Sequence, residues 1–335
     1  MKVSVLIVTF NSEAVIKECL DALFDQDYKD FELLIYDNAS SDRTCDILQN
    51  YNDRRIRLYK GRFNKGFGFA LNRLVEISEG EIIASLNPDT VVDKGWIKNA
   101  LRHFERVDVG MVSSRVHFKD DPDLIDSAGH LIYPDGLNRG RGHNQRFSEI
   151  FLSREEVAFP SGSAGFYRRD LYLKLGGIDE SLFLFGDDTD IGLKFQLSGY
   201  KCIYEPGSVV YHQYSFSTGL YSDIKAYYVE RNRVHILLKY FPLSLIGKSL
   251  YYTIKRVIFH NISAITGKGN TAGYLRNGSI FRLYLLMLMA YGDVLLNLPS
   301  IINKRKELSN LIDIKRMNEL VKKYSISARE ITLID

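Results

Sequence analysis

Three clusters of side chains in this 335-residue sequence have the make-up of reactive chemistry. Gly186-Asp187-Asp188-Thr189-Asp190 sets three carboxylates within four positions. Like charges so close repel one another, and a single Asp is enough to cap a helix. A carboxyl whose ionisation its neighbours oppose has a raised pKa, which suits a general base. Leu86-Asn87-Pro88-Asp89-Thr90 puts one acid just past an apolar run, where it can hold a divalent cation against a diphosphate. A turn begun by Pro and Asp is the plainer use of the same residues. Tyr211-His212-Gln213-Tyr214-Ser215 supplies an imidazole. A lone histidine after a strand is usually structural or solvated, but carboxylate with imidazole is a sensible ligand set for Mn²⁺.

Regular elements must position these groups. Residues 3–9 are a continuous β-branched run, as expected of a strand buried on both faces. It runs into Phe10-Asn11-Ser12, where Asn11 or Ser12 is placed to cap a helix through about residue 23. Strand patterns recur at 31–36, 56–59 and 82–86, with helix patterns at 44–51 and 69–78 between them. Repeated βα units predict an α/β fold with a mainly parallel, doubly wound sheet and right-handed crossovers. Ligands of such sheets sit outside the carboxyl ends of the strands. Asn11, Asp37, Asn64 and residues 87–89 each fall just past a strand or in the next loop. From 112 to 160 the pattern breaks into short polar pieces. Signals return at 163–168, 170–175, 190–197, 202–205 and 208–211, and turn helical at 227–240, 245–259 and 280–295.

Composition sets the outer limits. With 45% hydrophobic and 25% charged residues the chain has material for a core, which argues against disorder. The 21 Tyr and 19 Phe suit stacking on bases and sugars, although aromatics also fill cores. Cys19, Cys45 and Cys202 are far apart and lack metal-ligand spacing, reading as reduced core thiols of a cytosolic protein. The opening apolar run is too short for a signal peptide. No window reaches the roughly 18 apolar residues of a membrane span. The nearest, 280–298, is interrupted by Arg282, Asp293 and Asn297, so a protein neither exported nor membrane-spanning is expected. Residues 221–335 hold 18 Lys and Arg against 8 Asp and Glu, a net of +10, leaving −7 for residues 1–220. An acidic front and a basic tail predict two regions, 1–225 and 226–335, with different partners. The basic, apolar tail fits an anionic membrane surface, and no nucleic-acid motif is present.

Seven motifs, in order, resemble those of the family 2 glycosyltransferases of the GT-A fold. They are Val5-Leu6-Ile7-Val8-Thr9-Phe10-Asn11, Asp37-Asn38-Ala39-Ser40-Ser41-Asp42 and Asn64-Lys65-Gly66-Phe67-Gly68-Phe69-Ala70-Leu71-Asn72, then Leu86-Asn87-Pro88-Asp89-Thr90, Ser161-Gly162-Ser163-Ala164-Gly165 with Arg168-Arg169, Phe185-Gly186-Asp187-Asp188-Thr189-Asp190 and His212. The resemblance covers roughly residues 1–220. It implies an inverting transfer of sugar from a nucleotide-sugar donor to a glycan or lipid-linked acceptor. It implies donor contacts from Thr9, Phe10, Asn11, Asp37, Asn38, Asn64, Gly66, Gly68, Asn72 and Asn87. Among these, Asp37 would read a pyrimidine base, and Asn64 to Gly68 would form a backbone platform near the nucleotide, where Gly allows close approach. Asp89 and His212 correspond to ligands of Mn²⁺ or Mg²⁺. Asp188 corresponds to the base, with Asp187 the alternative by register, and Ser161, Gly162 and Asp190 lie on the acceptor side. Asn87 departs from the family's Asp-X-Asp, taking one charge from the metal site. That Asn-Pro-Asp variant is similar to bacterial rhamnosyltransferases that use dTDP-L-rhamnose for O-antigen and other surface glycans. The C-terminal helices then read as an appendage for the inner face of the plasma membrane or for homo-oligomer formation.

Competing functions leave different marks. A nicotinamide-dependent oxidoreductase places G-x-G-x-x-G after the first strand, whereas Gly66-Phe67-Gly68 follows the third. A nucleotidyltransferase has a basic, Gly-rich loop after strand one, which this sequence lacks. A non-catalytic nucleotide-sugar- or glycan-binding relative is favoured by Asn87 and is distinguished by the absence of turnover.

Overall fold

Every residue of β1 (Val3–Thr9) is buried, as follows for an apolar strand with partners on both edges and cover on both faces. α1 (Ile16–Phe24), β2 (Phe31–Asp37), α2 (Thr44–Gln49), β3 (Ile56–Lys60), α3 (Phe67–Ile77) and β4 (Ile82–Leu86) complete the alternating half. β1 pairs in parallel with β2 and β4, and β2 with β3. α1 buries Ile16, Cys19, Leu20 and Leu23, the i, i+3, i+4, i+7 stripe of a helix seated on a sheet. Each such large apolar side chain contributes roughly 1.5–3 kcal/mol by leaving water. The expected cap at Asn11 or Ser12 is not made by either side chain. Instead the Ser12 carbonyl accepts the amides of Val15 and Ile16, and α1 starts at Ile16.

The computed structural model describes residues 1–214, 219, 221–311 and 313–333, so Ser215 of the His212 motif lies outside the described residues. After β4 come β5 (Thr90–Val92), α4 (Trp96–Leu101), β6 (Val109–Phe118), β7 (Leu124–Ser127), β8 (His130–Ile132) and β9 (Asn138–Gly140). Then follow β10 (Gln145–Arg146), β11 (Glu155–Val157), β12 (Ala164–Arg168), α5 (Arg169–Lys174), α6 (Asp187–Leu197) and β13 (Lys201–His212). The 11-stranded sheet runs β10-β7-β6-β12-β4-β1-β2-β3, with β13 on the other edge of β6 and pairing also with β5 and β11. β12 is antiparallel to both β4 and β6. The expectation of a mainly parallel sheet is therefore corrected to a mixed one. The strict βα alternation stops at β4. β12 follows β11 with no helix of more than one turn between and runs antiparallel to β4 and β6, whereas β13, which follows α5 and α6, runs parallel to β6.

The polar pieces expected over 112–160 conceal β6, whose pairing runs through the middle of the sheet. Its apolar run is broken in sequence by Ser113 and Ser114, both buried. The Ser114 hydroxyl accepts from Trp96 Nε1 at 3.0 Å, which satisfies a polar atom the core would otherwise strand. The two pieces at 202–205 and 208–211 are one strand, β13, with an irregularity between Glu205 and Val209.

The described chain forms two units: Met1–Gly129 with Gly140–Ser217, and His130–Arg139 with Thr218–Asp335. The second contains the β8–β9 hairpin and α7 (Asp223–Tyr240), α8 (Leu243–Thr266), α9 (Asn270–Leu275), α10 (Ile280–Leu296), α11 (Leu298–Glu307), α12 (Ile314–Lys323) and α13 (Ala328–Leu333). Side chains of Ser222 and Ser279 cap α7 and α10 by accepting the amides of Lys225 and Arg282. Its interior is charged. Arg256 donates to Asp135 Oδ2 at 2.7 Å and to Glu230 Oε2 at 2.9 Å. Arg233 donates to the Asp135 carbonyl at 2.8 Å, and Tyr291 OH to Glu230 Oε1 at 2.6 Å. Burial works against ionised Glu230, but Arg256 and Arg233 prevail and hold its pKa well below the ordinary value. Among the described residues no single helix is long and apolar enough to cross a membrane. α10 and α11, bent by 61°, pass that test only as a pair.

Candidate active site

Three loops meet beyond β1, β2 and β3. Thr9 and Asp37 are register partners, and Thr9 Oγ1 donates to Asp37 Oδ1 at 3.0 Å. Asp37 Oδ2 accepts the Ser40 amide at 3.1 Å. Phe10 is exposed, and Asn11 adopts a left-handed φ of 49° while its side-chain oxygen accepts the Ser41 amide at 2.9 Å. Asn38 reaches the third loop, donating to Asn64 Oδ1 at 2.9 Å and the Gly66 carbonyl at 3.1 Å. The rim expected from Thr9, Phe10, Asn11, Asp37, Asn38 and Asn64 is thus brought together by side chains stapling loop to loop.

The glycines and Asn72 serve the protein's own chain. A Cβ on Gly66, whose φ is 89°, would stand 2.4 Å from the Phe183 carbonyl oxygen. One on Gly68 would stand 2.6 Å from Ile178 Cγ2 and 3.2 Å from Asp187 Oδ1. The close approach these glycines permit is that of the loop leading to the acid cluster. Asn72, expected at the nucleotide, is corrected. Its Oδ1 accepts from Tyr172 OH and the Ile178 amide, each at 2.9 Å, and its Nδ2 donates to the Ile178 carbonyl at 2.9 Å. A buried amide so engaged is a clamp on residue 178.

The acid cluster sits on a strained turn. Phe183, Phe185 and Gly186 have φ of 63°, 66° and 79°, and left-handed backbone is uncommon for side chains this large. Asp187 opens α6, is 7% exposed, and leaves Oδ1 without a hydrogen-bond partner. Burial first, and then the neighbouring Asp188, push its pKa up to about 7. Asp188 is only half-buried, and its Oδ1 accepts the Thr189 amide at 2.7 Å. A Cβ on Gly162 would lie 3.8 Å from Asp188 Oδ2. Because β12 enters antiparallel to β4, the Ser163 carbonyl accepts a hydrogen bond from the Asn87 amide at 2.9 Å. Ser161, Gly162, Asn87 and Asp188 are therefore gathered by strand register. Asp190 is corrected: fully buried, it accepts the Asp179 amide at 3.0 Å and faces Lys194 Nζ at 3.4 Å. It holds the loop and cannot meet an acceptor.

β13 pairs with β5 so that His212 stands opposite Thr90, beside Asp89. His212 Nε2 is 3.5 Å from Asp89 Oδ1, too long for a good hydrogen bond, and that buried oxygen has no hydrogen-bond partner. Nδ1 must carry a proton, because it lies 2.7 Å from the carboxylate of Asp126. Burial alone would lower the pKa of His212, but Asp126 and Asp89 outweigh it and raise it to about 10. Asp126 also meets His143 Nδ1 at 3.1 Å, and the two imidazoles hold its carboxyl well below the ordinary range against the effect of burial. The sequence reading passed over Asp126 and His143. A lone acid inside the buried strand Leu124–Ser127 was the signal.

Among the described residues no group of three or more His, Cys, Asp or Glu is arranged to hold a metal ion. Asp89 and His212 nonetheless fit a cation that takes its remaining ligands from an anionic molecule. One offers an unpartnered buried carboxylate oxygen, the other an imidazole nitrogen oriented by a carboxylate behind it.

Residues 4–176 match the family described as Glycosyl transferase family 2. Among curated relatives, the chain is 30% identical over 164 residues to the Escherichia coli "UDP-Glc:alpha-D-GlcNAc-diphosphoundecaprenol beta-1,3-glucosyltransferase WfaP", covering 47% of this chain and 64% of that one. It spans 25%, 50% and 65% of the length of three other curated relatives. Among solved structures, Staphylococcus aureus TarS 1-349 is similar with a TM-score of 0.56 at 19% identity, over 97% of this chain and 91% of that one. Mannosyltransferase PcManGT from Pyrobaculum calidifontis, in complex with GDP-Man and Mn²⁺, gives 0.51 at 18% identity, over 95% of this chain and 87% of that one. At these identities the two structures speak to the fold, a mixed α/β sheet followed by helices, and the family match to descent. The chain belongs to glycosyl transferase family 2.

Proposed function

We propose that the chain transfers a sugar from a nucleoside diphosphate to an acceptor hydroxyl, inverting the anomeric carbon. The observation that carries this reading is the single neighbourhood formed by Asn87, Ser161 to Ser163 and the half-buried Asp188, at the strand ends where the Thr9–Asp37–Asn38 rim also lies. Asp188 takes the acceptor proton, the acceptor oxygen bonds to the anomeric carbon, and the bond to the diphosphate breaks with its electron pair on the leaving group. Asp187 is too buried to reach an acceptor, so the register favours Asp188 as base. Asp89 and His212 would hold Mn²⁺ or Mg²⁺, which when bound offsets the charge developing on the diphosphate. The presence of Mn²⁺ with PcManGT supports that choice. The acceptor reading, a glycan or lipid-linked saccharide, draws on the named substrate of WfaP and on the relative "O-antigen biosynthesis protein RfbC" of Myxococcus xanthus. L-Rhamnose from dTDP-L-rhamnose is the donor favoured by Asn87.

Calorimetric titration with a panel of nucleotide-sugars, with and without Mn²⁺, tests the donor and the cation together. Proton NMR of the product then reads its anomeric configuration. Binding without any glycoside product, on a panel of saccharide acceptors, would make the chain a nucleotide-sugar-binding relative instead. A product that retains the donor's configuration would remove Asp188 as base of a direct displacement.

A further inference from the structure

The helical unit turns apolar side chains outward. On α8, Leu243, Leu250, Tyr251, Ile254, Ile258 and Ile265 are between 53% and 85% exposed. On α10, Phe281, Leu285, Leu288, Met289, Leu295 and Leu296 are between 46% and 83% exposed. At 3.6 residues per turn each set occupies about a third of its helix's circumference, a continuous stripe rather than scattered positions. Tyr284 OH donates to Asn261 Oδ1 at 3.0 Å and so ties α10 to α8 alongside these stripes. Soluble monomers rarely leave apolar surface of this extent uncovered.

Charge identifies the cover. Between Glu230 and Asp293 the sequence has no Asp or Glu and nine Lys and Arg, of which Arg233, Lys239 and Arg256 are buried while Lys248, Lys255, Lys268, Arg276 and Arg282 are exposed. Lys248 and Lys255, one heptad apart and exposed, border the α8 stripe. At the end of α8, next to Ile265, Lys268 and Arg329 line a cleft of about 880 Å³ with Ile262 and Leu333. Glu330 also lines it, but its carboxylate accepts the Ser327 amide at 3.0 Å. A second copy of the chain would set one basic rim against another. An anionic bilayer neutralises the rim and receives the apolar stripe, and tyrosines such as Tyr251 and Tyr284 suit the headgroup level.

We propose that the α8–α10 face is a docking surface that lies in the interface of an anionic lipid bilayer. The test uses the full chain without donor, sedimented with vesicles of phosphatidylcholine alone or mixed with phosphatidylglycerol. The chain binds the mixed vesicles and is released as salt shortens the screening length from about 10 Å at 0.1 M to about 3 Å at 1 M. Lys248→Gln with Lys255→Gln weakens partitioning on the order of twentyfold at low salt, since each basic residue near such a surface counts roughly fivefold. Ile254→Glu with Leu288→Glu weakens it by roughly a hundredfold or more, with circular dichroism and melting temperature unchanged because both sites face outward. No binding of the unaltered chain to anionic vesicles overturns the proposal, as does equal binding by the Lys variants. A dimer in light scattering that the Ile254→Glu, Leu288→Glu variant dissociates, without vesicle binding, would assign the face to a second copy. No donor is present, so failure here leaves the glycosyl-transfer reading untouched.

Discussion

Two buried carboxylates of the sheet unit, unlike its paired Asp126 and Asp190, are treated in the opposite way to those of the helical unit. In the sheet unit, Asp89 and Asp187 each leave a buried oxygen without a hydrogen-bond partner. In the helical unit, Asp135 and Glu230 are gripped by Arg233, Arg256 and Tyr291. An ionised group without a partner costs stability in its resting state and is retained where a ligand or a proton will meet it. A paired group in a dry interior is costly to break but performs no chemistry of its own. The contrast separates a site from a scaffold using charge alone.

The sharpest test lies on the sheet side. Asp188→Asn should lower turnover by about 10²–10⁴-fold while leaving donor affinity nearly unchanged, the usual contribution of a general base. Normal turnover, with Asp187→Asn inactive, would transfer the role to the buried neighbour. On the helical side, Arg256→Met leaves Glu230 and Asp135 short of positive charge and should cost on the order of 3–5 kcal/mol in urea unfolding of the full chain. A cost below about 1 kcal/mol would rank the cluster with surface ion pairs.

Asp187→Asn should act with the opposite sign. The folded protein holds the Asp187 proton up to about pH 7, against an ordinary 3.8. Its contribution to stability is therefore complete below the ordinary value and lost as pH rises through about 7. The Asn variant should gain up to a few kcal/mol over the unaltered chain at pH 8 and little at pH 4, read from melting curves at both. An equal effect at both pH values would mean that Asp187 is as well satisfied as Glu230. The smallest effect is expected at Asp126, which touches His212 but not the ligand. Asp126→Asn should weaken Mn²⁺ binding about 10- to 100-fold in the presence of nucleoside diphosphate, by calorimetry. Unchanged affinity would remove His212 as a cation ligand.

What could be read in advance follows from how local each cause is. β1 and β4 begin and end where the sequence reading places them, because a strand buried on both faces is a plain apolar run. β6 was hidden because Ser113 and Ser114 break its apolar run, and the partners that let Ser114 be buried, Trp96 and Ser208, lie 18 and 94 positions away. Gly66 and Gly68 announced a close approach, but the approaching groups, the Phe183 carbonyl and Ile178, lie more than a hundred positions away. The acid cluster was legible as a cluster. Which acid faces inward was not, since Asp187, Asp188 and Asp190 differ only in azimuth on one helix turn. The hairpin His130–Arg139 groups with helices about a hundred residues downstream, and nothing local encodes that.

Asn72 carries a consequence for how tolerance to mutation will look in this protein. Its side chain receives two donors on one oxygen and spends its nitrogen on a carbonyl, all inside the fold. Aspartate supplies the oxygens but no donor and brings a charge, glutamine sets the amide one carbon too far, and serine or histidine matches only part of the pattern. No other side chain reproduces the whole pattern at position 72. In a library scored by product formation it will look as intolerant as a residue that touches substrate. Scoring the same library for folded protein separates the two: loss at Asn72 appears in both readouts, and loss at Asp188 in product alone.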